Sequence, residues 1–451
     1  MKKTLKLICI FLSALFIISL CGCGKKAKNE SLPADFEDSY DDIEVENNDE
    51  KTENTESGSS AKNGSSASDT SGLDGLINSS GDKHMNIPSR ANAYKLTNTY
   101  NKLKNGEAVK VAYYGGSVTS GTGSTKESTN SWRALTTAYI KSIAKGNVTE
   151  VNAALGGTAS YLGAARFDYQ IIYQKVDLLF IEFAINDMYS EISNDQIKSN
   201  LEYMITKLNA QNPNADIVFV LITNKSNFGT KFRAYNAYVD VANHYKIPVI
   251  DIGGEVYNAL GGSLTKYSTY LSDTVHPNDA GYKLYSEVVI KALKELVVSG
   301  NSASHSLPSK KLSSGAFSTL ENMKPAGFAN SEWKEKSWFD DNDIEKSNSQ
   351  FRYSRLKEQF HKYLTPAASG VTLTISFTGN SFGFLGTVKS GSSLKFVIDS
   401  KTEKTINGVS KDELLEYPVF EDLSNSAHTV TVTAYGNPPQ IAIASFVVTK
   451  Q

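Results

Sequence analysis

In Val109-Lys110-Val111-Ala112-Tyr113-Tyr114-Gly115-Gly116-Ser117 an apolar run meets a glycine-flanked serine. The run reads as a buried parallel strand, and the two glycines turn the chain sharply at its carboxyl end. Ser117 therefore stands on a turn at the edge where open α/β sheets bind ligands, which makes it a candidate nucleophile. Gly-Gly-Ser alone says little: Gly261-Gly262-Ser263 repeats the string with no strand before it and reads as an ordinary loop.

A serine hydroxyl attacks only when a base takes its proton. The chain has six histidines. His84 precedes the structured region, His244 falls in an expected helix, His305 in an expected linker, and His361 and His428 in a β-rich region. His276 remains, in Ser272-Asp273-Thr274-Val275-His276-Pro277, on an expected loop between the last strand and the last helix. Asp273, three residues earlier, is spaced to accept from Nδ1 while Nε2 faces the serine. A helix-capping loop whose Asp and His merely pair with each other has the same spelling. Acyl transfer also needs donors aimed at an oxyanion. Asn186, in Ala184-Ile185-Asn186-Asp187, ends an expected strand and offers an amide. Gly157, in Leu155-Gly156-Gly157-Thr158, offers a backbone N–H with no side chain in the way, and Ser117 N–H is a third donor. Taken singly, Asn186 also reads as a turn residue and Gly157 as a turn glycine. Arg166 and Glu182 lie near the same sheet edges, as a structural ion pair or as substrate contacts.

These residues need a scaffold that brings strand ends together. Strand-like segments at 109–115, 148–155, 176–184, 216–223 and 248–252 alternate with helix-like ones at 93–104, 131–144, 161–174, 194–210, 231–245 and 279–298. That alternation is the signature of a parallel five-stranded sheet covered by helices, a three-layer α/β/α domain. Asn278 and Asp279 can cap the last helix. Residues 300–313 read as a linker. Beyond it, 371–378, 381–388, 393–399, 428–434 and 441–450 alternate or run apolar between Gly, Asn and Ser turns, which predicts an all-β sandwich.

Together the residues resemble the SGNH hydrolases, also called the GDSL family of lipases and esterases. The family's Ser, Gly, Asn and His blocks fall on Ser117, Gly157, Asn186 and His276, in the family's order, within residues 91–298. Two positions depart: Gly116 stands for the Asp of Gly-Asp-Ser-Leu, which should widen the turn, and Ala184 for the Gly of Gly-x-Asn-Asp. Thr119, where an α/β-hydrolase elbow has Gly, argues against that fold. The resemblance implies a flavodoxin-like α/β/α domain and a serine esterase needing no cofactor or metal. Ser117 attacks, His276 acts as base and then acid, Asp273 orients it, and Ser117 N–H, Gly157 N–H and Asn186 hold the oxyanion. Asp187 would brace the loop.

Composition sets the setting. Lys2, Lys3 and Lys6 precede an apolar run at 7–20, the pattern of an export signal. The run ends Leu20-Cys21-Gly22-Cys23, which resembles the lipobox of bacterial lipoproteins and implies a signal at 1–23 with lipid attached to Cys23, on the extracellular face of the cell membrane. All three cysteines lie there, so the rest of the chain has no disulfide or thiol nucleophile. Residues 24–85 are rich in Ser, Asn, Asp, Glu and Gly and read as a disordered tether. The organisation expected is thus a hydrolase domain at 90–300 and a β-sandwich at 314–451. A net charge of −2 and no basic stripe give no reason to expect nucleic acid as a partner. Extracellular SGNH proteins with an added β-sandwich look like carbohydrate esterases, so an O-acetylesterase acting on cell-wall or environmental polysaccharide is expected. A sugar O-acetyltransferase, a lysophospholipase or thioesterase, and a glycan-binding lipoprotein with an inactive hydrolase domain are the rivals. Trp333, Trp338, Phe339, Tyr353 and Tyr363, early in the β region, could stack on sugars or pack a core.

Overall fold

The computed structural model describes residues 85–338, 356, 359–409 and 415–451. The expected signal and lipid-bearing Cys23, nearly all of the expected tether, and Phe339 and Tyr353 lie outside the described residues.

Five strands form one parallel sheet: β1 (Val109–Gly115), β2 (Val148–Asn152), β3 (Leu178–Glu182), β4 (Asp216–Leu221) and β5 (Val249–Asp251), in the order β2-β1-β3-β4-β5. Strands β3 and β4 are buried along their whole length, which explains why they read as unbroken apolar runs rather than alternating ones. The helices are α1 (Thr97–Asn105), α2 (Ser117–Ser120), α3 (Glu127–Asn130), α4 (Trp132–Ile143), α5 (Ser160–Phe167), α6 (Ala184–Tyr189), α7 (Asn194–Gln211), α8 (Arg233–Tyr245), α9 (Ile252–Ala259), α10 (Leu264–Ser268) and α11 (Asp279–Leu296). One face of the sheet carries α4, α9 and α11, the other α5, α7 and α8. Ser131, Ser193 and Asn278 cap α4, α7 and α11 through their side chains. Strand order reverses between β1 and β3, so the crevice of the sheet opens beyond their carboxyl ends. Ser117 follows the first of these strands and Asn186 the second.

The helix expected over 161–174 is α-helical only to Phe167, and Asp168–Ile172 winds as a π turn. The expected linker is a packed strap. Asn98 exchanges hydrogen bonds with Ala303, and the His305 ring stacks on Tyr94 and meets buried Asp216 at 2.8 Å. Glu202 receives the N–H groups of Leu312 and Ser313.

The second half forms two antiparallel sheets. Its strands are β6 (Thr319–Met323), β7 (Trp333–Ser337), β8 (Lys362–Pro366), β9 (Thr372–Gly379), β10 (Ser381–Val388), β11 (Ser393–Ile398), β12 (Thr402–Asn407), β13 (Leu415–Phe420), β14 (Ser426–Tyr435) and β15 (Ile441–Lys450). One sheet runs β13-β10-β15-β8-β7 with β6 also on β15, and the other β12-β11-β14-β9. Ile441, Ile443, Phe446 and Val448 point between the sheets, whereas Ala442, Ala444 and Val447 join the core of the α/β domain. Strand β15 is therefore buried on both faces, and the domains share apolar packing. Trp333, Trp338 and Tyr363 are all buried, so their aromatic faces belong to the packing and do not form a sugar platform.

At this contact Tyr161 of α5 lies over Gly383 of β10, where a Cβ would come within 2.1 Å of its hydroxyl. Gly383→Ala is therefore expected to cost about 1 to 3 kcal/mol by overpacking. Gly327→Ala, where a Cβ meets nothing within 4 Å, should change stability by less than about 0.5 kcal/mol. Urea unfolding of the two variants beside wild type makes the comparison, and equal stabilities would contradict the close approach.

Candidate active site

Strand β1 delivers the serine. Gly115 cannot carry a side chain, because a Cβ would lie 2.4 Å from Glu182 O, and Gly116 is equally tight, with a Cβ falling 2.2 Å from Asn186 Nδ2. The sequence predicts a wider turn at Gly116; what the structure shows there is the Asn186 amide filling the space a side chain would take. Ser117 then opens the one-turn helix α2, closed by Gly121 in the left-handed region with its N–H on Ser117 O.

His276 arrives on the loop before α11. Its Nε2 lies 2.8 Å from Ser117 Oγ, although the two residues are 159 apart in sequence, and its Nδ1 lies 2.7 Å from Asp273 Oδ2. The other oxygen, Asp273 Oδ1, accepts the backbone N–H groups of Val275 and His276, each at 2.7 Å. The acceptor on Nδ1 assigns the proton to that nitrogen and leaves the Nε2 lone pair toward the serine. Burial pushes the Asp273 carboxyl up, but the bonds from the His276 ring and from the His276 and Val275 N–H groups outweigh it and hold it at about 2. Ser117 and His276 are both buried, at 6% and 4% exposure, which keeps the pair largely out of bulk water.

The expected donors converge on the same rim. Gly157 takes φ +71°, a backbone that suits glycine, in the loop between β2 and α5. Asn186 donates one amide hydrogen to Thr158 O at 2.8 Å, which ties α6 to that loop. Asp187 accepts from Ser160 N–H at 2.7 Å and from the Tyr238 hydroxyl at 3.0 Å, so its carboxylate binds α5 and α8 to α6.

The two other charged residues singled out from sequence face the framework. Arg166 is fully buried, donates to Ala153 O at 2.6 Å, pairs with Gln170, and stacks over the Tyr114 ring 4.3 Å from its centroid. Glu182 accepts from Thr119 Oγ1 at 2.7 Å beneath the nucleophile turn.

Sequence reasoning missed several supports. Buried Arg133 pairs with Glu150 and donates to Thr119 O and Ser120 O, gathering the carbonyls of α2. Of the two expected caps for α11, Asn278 performs the task; the Asp279 carboxylate instead takes Thr125 N–H at 2.8 Å and Thr125 Oγ1 at 2.6 Å. Tyr282 donates to Thr122 O at 2.7 Å, and Lys225 N–H bonds Thr274 O at 3.0 Å. These bonds hold the nucleophile and histidine loops in register. Apart from scattered Thr, Asp and Tyr letters, no sequence signal marks them.

Residues 113–284, from within β1 to α11, match the family model of the GDSL-like lipase/acylhydrolase family. That match lies within the α/β domain. The GDSL-like domain is thus that of an SGNH-type esterase, and the four blocks that suggested it are the ones gathered at the rim. No curated protein matches the chain closely in sequence. Among solved structures, a two-domain esterase active on acetylated mannans, co-crystallized with mannopentaose, aligns over 80% of this chain and 97% of its own at 19% identity and a TM-score of 0.64. That likeness spans the GDSL-like domain and the β-sandwich and speaks for the fold. A lipase/acylhydrolase from Enterococcus faecalis aligns over 42% of this chain and 96% of its own, at 20% identity and a TM-score of 0.34. An acetyl xylan esterase aligns over 41% and 100%, at 18% identity and 0.33.

Burial raises the Glu182 carboxyl to about 8, against bonds from Thr119 and the Gly116 N–H that lower it. An unfolded chain releases this proton near pH 4.5 and the folded one near 8. The folded state therefore holds more protons in between, and the associated stability is complete below the lower value and lost as pH rises to the upper. Burial raises Asp187 in the same direction, so the test is a difference. Glu182→Gln should flatten the decline in urea stability between pH 5 and 8 by about 1 to 3 kcal/mol. An unaltered slope would remove Glu182 from the account.

Proposed function

We propose that this chain is a serine esterase that removes O-acetyl groups from polysaccharide at the cell surface. The observation that carries the reading is the relay Ser117 Oγ, His276 Nε2, His276 Nδ1, Asp273 Oδ2, with its two gaps of 2.8 and 2.7 Å. In it His276 takes the Ser117 proton as the oxygen attacks the ester carbonyl, and Asp273 stays ionised and steadies the imidazolium. Negative charge passes to the carbonyl oxygen, where Ser117 N–H, Gly157 N–H and the second amide hydrogen of Asn186 receive it. The imidazolium then returns its proton to the leaving sugar oxygen. Water, deprotonated by the same Nε2, attacks the acyl-enzyme, and acetate leaves as the Ser117 proton is restored.

Three supports bear on the substrate. The family is one of lipases and acylhydrolases, which makes an acyl ester the bond attacked. The two-domain esterase that shares both domains is described as active on acetylated mannans, and an acetylated polysaccharide comes to this chain by that likeness. The lipobox-like Leu20-Cys21-Gly22-Cys23 would hold the enzyme on the outer face of the membrane, where such polymers are met.

Activity on p-nitrophenyl acetate, butyrate and palmitate, with acetate release from acetylated mannan and xylan, tests the reading. Ser117→Ala and His276→Ala should each lower kcat by at least about 1000-fold, and Asn186→Ala by about 100-fold. Acetyl esters should be preferred over palmitate. Equal silence of wild type and Ser117→Ala on all of them would refute the esterase, and a palmitate preference would move the substrate to lipid.

A further inference from the structure

Helix α5 begins three residues after Gly157, and its N-cap is Ala159, whose side chain cannot accept a hydrogen bond. A helix start leaves backbone N–H groups that need acceptors, and here the start is interior, with Thr158, Ser160, Tyr161 and Leu162 all buried. The acceptors come from elsewhere in the fold. Asp187 takes Ser160 N–H. Glu416, on edge strand β13 of the sandwich, takes Ala159 N–H on Oε1 at 2.6 Å and Leu162 N–H on Oε2 at 2.8 Å. One carboxylate thus spans the N-cap and the third helical position, the two sites that a capping box serves from within a helix.

The consequence reaches the acyl site through three consecutive residues. Thr158 is held at its carbonyl by Asn186, Ala159 at its N–H by Glu416, and Ser160 at its N–H by Asp187. Two of these ties come from α6, and the middle one crosses from the β-sandwich. We propose that Glu416 is a positioning residue for the oxyanion site: through Ala159 and Leu162 it fixes the loop that presents Gly157 N–H, which makes the sandwich part of the acyl-transfer machinery. The inference rests on the esterase reading for its kinetic consequence and on geometry alone for the ordering of the loop.

The test uses the full chain with Glu416→Ala, Glu416→Gln and a control, Asn322→Ala. Asn322 also bridges the domains, donating to Ala165 O at 2.7 Å, but at the far end of α5. With p-nitrophenyl acetate, Glu416→Ala should lose about 10- to 100-fold in kcat with KM changed less than about 2-fold, since a displaced donor is felt in the transition state. Glu416→Gln, which keeps one acceptor oxygen, should recover part of the loss, and Asn322→Ala should keep kcat. Amide hydrogen exchange of the segment 155–162 should quicken at least about 10-fold in Glu416→Ala and stay at the wild-type rate in Asn322→Ala. Unchanged exchange in a folded Glu416→Ala protein overturns the proposal, as does an equal kcat loss in the Asn322 variant, which would assign the effect to domain docking. Exchange needs no turnover, so a wild type silent on every ester would end the esterase reading and still leave the ordering of the loop by Glu416 decided.

Discussion

An imidazole works as a base toward serine only if its proton sits on the far nitrogen and stays there. Asp273 meets that demand with both oxygens: one accepts the Nδ1 proton, and the other accepts two backbone N–H groups of the loop that carries the ring. Tautomer and loop conformation are thus set by one carboxylate, and neither can drift without loss of bonds to an ionised group. The remaining supports act on this unit from outside. Asn278 starts α11 behind it, Lys225 N–H holds Thr274 O, and Tyr282 and Asp279 tie it to the segment following Ser117.

The residues of the proposed relay were legible in the chain because each sits where local rules are strong. An apolar strand followed by two glycines announces Ser117, and a shortage of histidines isolates His276. Asn186 follows β3, whose burial along its whole length makes it conspicuous, and Gly157 follows β2, an edge strand half-buried beyond Val148. The supports were illegible for the opposite reason. Tyr282 and Glu416 act over large sequence separations, and Arg133 over 6 to 17 residues, through polar contacts that leave no periodicity. The one-turn helices α2 and α3 are too short to show a helical repeat. Strands β6 and β12 are largely exposed and spelled Thr-Leu-Glu-Asn-Met and Thr-Glu-Lys-Thr-Ile-Asn, without the alternation that revealed β9.

The strap at 300–313 shows the limit of reading composition. Ser, Pro and Lys mark it as a linker, yet Asn98, Asp216 and Glu202 each spend a buried or partly buried polar side chain on it. A carboxylate such as Glu202, buried in α7, is tolerable only with such partners. The strap is therefore needed by the helix as much as the reverse. The two halves of the chain also share a core across β15, α5 and Tyr161, so an apparent domain boundary in sequence coincides with continuous packing in space.

Three carboxyl groups stand close to the place where negative charge develops. Each is raised chiefly by burial: Glu182 to about 8, Asp187 to about 6 and Glu416 to about 7. Three full negative charges there would oppose an oxyanion across a poorly screened interior. Burial raises all three, and the bonds each accepts from Gly116, Ser160, Ala159 or Leu162 N–H spread their charge into the backbone. Those N–H groups lie in the two turns that also supply Ser117 N–H and Gly157 N–H. These three carboxyls thereby accept bonds from the turns that carry the proposed oxyanion donors, while Asp273, held at about 2, meets His276 Nδ1.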